Sequence, residues 1–280
     1  MEPHSKECGG SIEEPTTGGT RRRIKGLALS AIVAASLLAL PLTGCSGSNE
    51  PAQSDEPITA SQAFSSECLW FHSNGEPKKD GMVHTVYAFD GAGNVTVYDT
   101  DMSYGDLNGK SNEEIIKLAQ QQNRENKIAE LENDIKVLRQ DNDELQADLD
   151  DMNEEKGDYA SDPDTLGVIE SDISEAQSRI SDNNAKIDED NTKLDKLNSG
   201  SYVEEAQPFS LSIETDDTGN NAVSEILTVG DDSIEFSKRD MSWTVYDLYF
   251  LGYDGLYTAV EQGHHGFILD TPGTEGVEVD

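Results

Sequence analysis

Basic residues are scarce in this chain of 280: 20 Lys and Arg stand against 56 Asp and Glu, a formal net charge of −36. A field of that sign repels phosphate backbones and excludes nucleic acid as a partner. Cysteine is rarer still, with Cys8, Cys45 and Cys68 alone. Long apolar runs are missing. The longest, Leu27 to Leu40, is 14 residues before Pro41, against about 20 for a helix that spans a bilayer. No Gly-x-Ser-x-Gly, His-Glu-x-x-His, Walker loop or dinucleotide fingerprint occurs, so no enzyme class has a residue constellation behind it and no cofactor is implied. The alternating strand–helix pattern of solute-binding lobes is also missing.

Two fragments of metal chemistry stop short of a site. Asp99-Thr100-Asp101-Met102-Ser103 begins like a calcium loop, but Tyr104 stands where that loop needs glycine and Lys110 where it needs glutamate. A turn with Asx hydrogen bonds is the reading for it. His264 and His265 are adjacent, and neighbours on a strand end point to opposite faces, so they do not share one zinc. No metal is expected.

What is present begins with Arg21 to Cys45. Three arginines and Lys25 precede an uncharged run from Gly26 to Leu42, which ends in Leu42-Thr43-Gly44-Cys45. Basic head, apolar middle and small residues before a cut are the parts of a secretory signal. The last four residues resemble the lipobox of bacterial lipoproteins. That resemblance implies cleavage between Gly44 and Cys45 and a diacylglyceryl group on the Cys45 thiol. Two acyl chains suffice for stable anchoring, at about 0.8 kcal/mol per buried CH₂. It places the protein on the extracytoplasmic face of the cell membrane, and it makes residues 1–44 the signal peptide. Removing five basic and four acidic residues with that signal leaves 15 basic and 52 acidic ones, a net of −37. Cys68 is then the single thiol left and forms no intramolecular disulfide. It lies in the apolar run Glu67-Cys68-Leu69-Trp70-Phe71, and a buried inert thiol is expected rather than a nucleophile paired with His72.

Residues 45–62 follow as a flexible tether, since Ser46 to Thr59 is polar, acidic and rich in Ser and Pro. Residues 63–110 form the first part of a β domain. Glu67 to His72 is a strand, and His84–Phe89 and Asn94–Tyr98 flank Asp90-Gly91-Ala92-Gly93 as a hairpin. The period then changes. Ser111-Asn112-Glu113-Glu114 has the form of a capping box, and no glycine or proline interrupts the chain from there to Glu155. Ile128, Leu131, Ile135, Leu138, Asn142, Leu145, Leu149 and Met152 recur in steps of three and four, as heptad a and d positions do.

Gly157 is expected to end this helix, and Asp162-Pro163 to start a second one. The second seam is Leu166, Ile169, Ile173, Ala176, Ile180, Asn183, Ile187, Asp190, Leu194 and Leu197. The short link favours an antiparallel hairpin over residues 111–199 rather than self-association of two molecules through the same seam. An arm of this length projects roughly 50 Å. The expected register pairs positions that sum to 318, so that Leu149 faces Ile169, Leu145 faces Ile173, Asn142 faces Ala176 and Ile128 faces Asp190, with Arg124 in reach of Asp190.

Residues 200–280 return to period two, with strands expected at Phe209–Glu214, Ala222–Val229, Ser233–Phe236, Trp243–Leu251, Leu256–Val260 and Gly266–Leu269. The aromatics from Trp243 to Tyr257 sit at strand spacing, and core packing is their default. The fold class is α+β: an antiparallel β sandwich or partly open barrel made of both flanks, with the helical hairpin inserted. The expected function is that of a lipid-anchored, non-enzymatic surface protein, monomeric, that meets another protein through its hairpin or its acidic β domain. A transport-associated adaptor is the alternative. Membrane-fusion adaptors resemble it in pairing β structure with an inserted hairpin, although their lipoyl half-motifs have no match here.

Overall fold

A computed structural model describes residues 56–279. Gly44, Cys45 and the arginine-headed run before them lie outside the described residues. In chain order the elements are β1 (Ile58–Thr59), α1 (Ala60–Phe64), β2 (Glu67–His72), β3 (Met82–Asp90), β4 (Asn94–Ser103), α2 (Asn112–Asp158), α3 (Pro163–Asn198), β5 (Gln207–Thr215), β6 (Ala222–Val229), β7 (Asp232–Phe236), β8 (Trp243–Val245), β9 (Leu248–Tyr253), β10 (Leu256–Val260), β11 (Phe267–Ile268) and β12 (Val277–Val279).

The molecule is α+β, with one large antiparallel sheet and two long packed helices. The sheet runs β7-β6-β5-β4-β3-β2-β10-β9-β8, with β12 added to β5 in parallel. Strands from before and after the helices therefore share one sheet, joined where β4 meets β5 and where β2 meets β10. β4 touches β5 only through Asn94–Pro208 and Val95–Gln207, after which the two diverge. The freed edge of β5 at Leu211–Ile213 takes β12. The path ends at β7 and β8, so no closed barrel forms.

Each face of the sheet buries its own core. On one side Phe64 of α1 stacks on Phe89 at 4.7 Å, and Trp70 stacks on Tyr253 at 5.6 Å. Cys68 is buried in the same cluster, its Sγ 3.5 Å from the Ala63 carbonyl oxygen. On the other side Phe71, Val86, Tyr98, Met102, Phe250 and Tyr257 pack with Ile115 and Ala119 from the first turns of α2. The apolar alternation along β3 and β4 supplies both clusters, as a strand buried on two faces requires.

Three sequence expectations change at this level. Residues 58–62 belong to the folded unit, not to a tether: β1 pairs with β11, and Ala60, Ala63 and Phe64 are buried. Thr59-Ala60-Ser61-Gln62 is itself a capping box, with Gln62 Oε1 accepting from the Thr59 N–H at 3.2 Å. The expected strand Trp243–Leu251 is two strands, because Tyr246 takes φ +54° and turns the chain so that Val245 pairs with Leu248. A two-residue turn of this hand needs positive φ, which period-two patterning does not reveal. The Asp99–Ser103 turn is likewise absent, for β4 continues through it, with a β-bulge where its register against β3 shifts by one residue.

The hairpin forms within the chain. Ser111 caps α2, with Glu114 N–H donating to its Oγ at 3.3 Å and Glu114 Oε2 accepting from its N–H at 2.8 Å. Asp162 caps α3, with Pro163 in the first turn. The helix does not stop at Gly157 but continues to Asp158, and the turn lies at 159–162, closed by Asp162 N–H donating to the Tyr159 carbonyl at 2.9 Å. The later turn moves the register by one heptad. Asn183 Nδ2 donates to Asn142 Oδ1 at 2.9 Å, positions that sum to 325 rather than 318. Leu145, Leu149 and Ala176 form the local core with Met152, Ile173 and Ile180. A seven-residue slip preserves every a and d layer, so heptad spacing alone cannot separate the two registers. A register summing to 318 would be centred on residue 159, at the very end of α2, whereas 325 is centred where the turn passes into α3.

Candidate functional site

Every seam residue expected from the sequence is turned away from solvent. Ile135, Leu145, Leu149, Ile169, Ile187 and Asp190 are buried, and Ile128, Leu131, Leu138, Asn142, Ile173, Ile180, Asn183 and Leu194 are half-buried. Asp190 is 1% exposed and does not meet Arg124. Lys186 Nζ at 3.0 Å and Lys193 Nζ at 3.5 Å hold it from its own helix. Burial opposes its ionisation, but the two ammonium groups outweigh burial and its pKa is lowered. The outer faces of the arm stay exposed, Val137 and Val168 among them. Between 141 and 176 they carry 14 acidic residues against Lys156 alone.

At the root of the arm the chemistry is denser. The edge of β4 beyond Val95 has no strand partner, and amide side chains of α2 cover it instead. Gln122 Oε1 accepts from Asp101 N–H and Asn123 Oδ1 from Asp99 N–H, both at 3.1 Å. This satisfies strand groups that would otherwise invite another chain. Asn123, 2% exposed, also donates through Nδ2 to Glu204 Oε2 at 2.8 Å. Lys127 Nζ at 2.7 Å and the Tyr202 hydroxyl at 2.8 Å converge on the same oxygen. Burial works against charge on both Lys127 and Glu204, but their mutual bond and that of Tyr202 prevail: Lys127 is raised and Glu204 lowered. The returning chain after α3 is thus tied to the fourth and fifth turns of α2 by one half-buried polar knot.

Two hollows flank this knot. One, of about 390 Å³, lies between Tyr87, Asp99, Lys127, Gln207 and Asp232. Burial, then the charges of Asp99 and Asp232, push the Tyr87 phenol up to about 12, so it stays a neutral hydroxyl there. The other, of about 380 Å³, lies between Tyr98, Lys117, Gln120, Gln121, Arg124, Tyr202 and Val203. Lys117, Gln120, Gln121 and Arg124 fall on one stripe of α2 by the three-and-four rule.

Neither hollow was legible in the sequence, because residues 117–127 and 202–204 meet only when the hairpin closes. The available signal was the cluster Tyr202-Val203-Glu204-Glu205, an aromatic and charged link without turn residues. The remaining candidates are structural. Trp70, Phe250, Tyr253 and Tyr257 are buried in the two cores. His264 Nδ1 accepts from Gly266 N–H at 3.0 Å. Among the described residues no group of three or more His, Cys, Asp or Glu is placed to hold a metal, and no helix is long and apolar enough to cross a membrane. Comparison with family models, with curated proteins and with solved structures finds no match.

Proposed function

We propose that the chain is a lipid-anchored extracytoplasmic protein, a non-enzymatic binding module that presents a stiff helical arm to another protein from an acidic β domain. The observation that carries this reading is the arm itself. Its seam is filled from within, its outer faces are exposed, and its root is fixed to the sheet by the Asn123–Lys127–Glu204 knot. An arm of that kind has no core left to contribute and serves to reach. At 1.5 Å per residue the 47 residues of α2 extend about 70 Å. The charge imbalance between 141 and 176 favours a partner with a cationic face. The basic head, apolar run and Leu42-Thr43-Gly44-Cys45 support anchoring through Cys45.

The finer architecture fits a partly open barrel. An isolated antiparallel bridge joins Lys238 to Tyr253, and Phe236 packs on Tyr253 at 4.6 Å, so the end of β7 curls towards β9.

Anchoring is tested on whole cells with the full chain. Cys45→Ser should abolish palmitate labelling and release the protein from the membrane fraction; labelling and fractionation that persist overturn it. The arm is tested with photo-reactive side chains at exposed positions Val137 and Val168, and at Tyr246 on the β domain. Adducts to one protein from the arm positions support the reading. Adducts from Tyr246 alone remove the arm as the contact element.

A further inference from the structure

We propose that the hollow between the first turns of α2, β4 and the returning segment 202–204 is a binding site for a small organic monocarboxylate, gripped by Arg124 and Lys117. This goes beyond arm-mediated contact and does not depend on it.

In a chain so rich in carboxylates, cations are expected to find acidic partners. Of the 15 Lys and Arg among the described residues, seven (Lys127, Lys156, Arg179, Lys186, Lys193, Lys238 and Arg239) do so within 4 Å. Arg124 and Lys117 line the same hollow, and neither is in such a pair among the described residues. Arg124 Nε is buried and has no hydrogen-bond partner, although a guanidinium presents a planar fork of donors that suits a carboxylate. Arg124 as a whole is half-buried and lines the hollow, so a carboxylate there meets its guanidinium without displacing another acid.

The carboxylate on the wall does not fill that role. Glu204 Oε2 already takes Lys127, Tyr202 and Asn123. Glu125 accepts from Gln121 at 2.9 Å, and Glu114 is engaged in the Ser111 cap, although it does feel the Lys117 charge. Tyr98 accepts from Gln120 Nε2 at 3.3 Å, which leaves its own hydroxyl proton for an acceptor in the hollow. Arg124 and Lys117 therefore stand on the wall without an ion-pair partner, with neutral donors beside them.

The class of ligand follows from charge and from Val203. A net charge of −36 repels polyanions at long range, so a single carboxylate on a compact body enters at least cost. Val203 is 70% exposed at the rim and offers that body an apolar contact. The hollow, about 380 Å³, admits a molecule of the size of benzoate.

The test uses the purified full chain in detergent, with arginine ¹⁵N-labelled, titrated with sodium benzoate, inorganic phosphate and sodium chloride at matched ionic strength. Benzoate should move the Arg124 Nε–H resonance saturably, phosphate less tightly, and chloride not at all. Arg124→Lys keeps the charge but loses the fork, and should weaken benzoate about tenfold. Lys117→Gln, at an exposed position, should weaken it severalfold without disturbing the root, and decides the matter should Arg124→Lys perturb the fold. Benzoate shifts that never saturate, or match chloride, overturn the site. So does unchanged affinity in Lys117→Gln, and phosphate binding tighter than benzoate overturns the carboxylate class.

Discussion

A single carboxyl in the β domain has more influence on pH behaviour than the many acids on the surface. Glu225 on β6 is fully buried, with Asp270 N–H donating to its Oε2 at 3.2 Å and its Oε1 without a protein partner. Asp270, also buried, is engaged at the N-terminus of α1, where it accepts from the Ser61 N–H and hydroxyl, both at 2.7 Å. Burial first, and the charge of Asp270 second, push Glu225 up to about 8. In the unfolded chain it titrates near 4.3. Between those values the folded state holds the extra proton, so stability falls as pH rises through the window and levels off above it. Glu225→Gln keeps a neutral side chain of the same shape. Its thermal midpoint should stay nearly flat from pH 5 to 9, whereas the parent loses stability over the same range, by a few kcal/mol. Parallel curves for the two proteins would show that Glu225 is ionised in the fold.

Among the elements, the arm is where sequence and structure agree most and part most informatively. Caps, seam residues and antiparallel pairing are all legible, because each is a local or periodic signal. The register is not, because two solutions one heptad apart place apolar residues equally well. What separates them is the turn at 159–162 and the polar layer in which Asn183 Nδ2 meets both Asn142 Oδ1 and, at 2.7 Å, Asp141 Oδ2. Polar seam residues fix register at a cost in stability. Asn142→Leu with Asn183→Leu should therefore raise the thermal midpoint of the arm, by about 1–2 kcal/mol of added stability. It should also let the 318 register compete. Cysteine pairs report which register is present: positions 138 and 187 cross-link in the observed one, positions 131 and 187 in the slipped one. Exclusive cross-linking of 138 to 187 in the double variant would mean that the turn alone sets the register.

For the molecule as a whole, the division between sheet and arm does not fall where the period of the sequence changes. Helical periodicity begins at Ser111, which makes 111–199 read as one inserted unit. The first four turns of α2 belong to the β domain in energetic terms. Ile115 and Ala119 are fully buried against Met102, Tyr104 and Phe250, and Asn123 is engaged with β4 and Glu204. The end of α3 comes back level with the fourth turn, where Arg124 Nη1 lies 3.9 Å from the position a Gly200 side chain would start. Such contacts between distant parts of the chain leave no trace in periodicity, which explains why the arm was legible and its root was not. Replacing residues 132–193 by a short glycine-rich link should leave a cooperatively folded β domain. The layers it removes touch only each other, and loop closure across so small a gap is inexpensive. Replacing 112–198 should instead expose Met102, Tyr104 and Phe250 and strip the edge of β4. The loss of Ile115 burial alone is worth about 2–3 kcal/mol, and the bared strand edge adds a route to aggregation. Near-ultraviolet circular dichroism and size-exclusion chromatography distinguish the two deletions. A soluble, native-like product from the longer one would show that the sheet holds together without the root of α2, and that the two hollows beside Glu204 belong to the arm rather than to the domain that carries it.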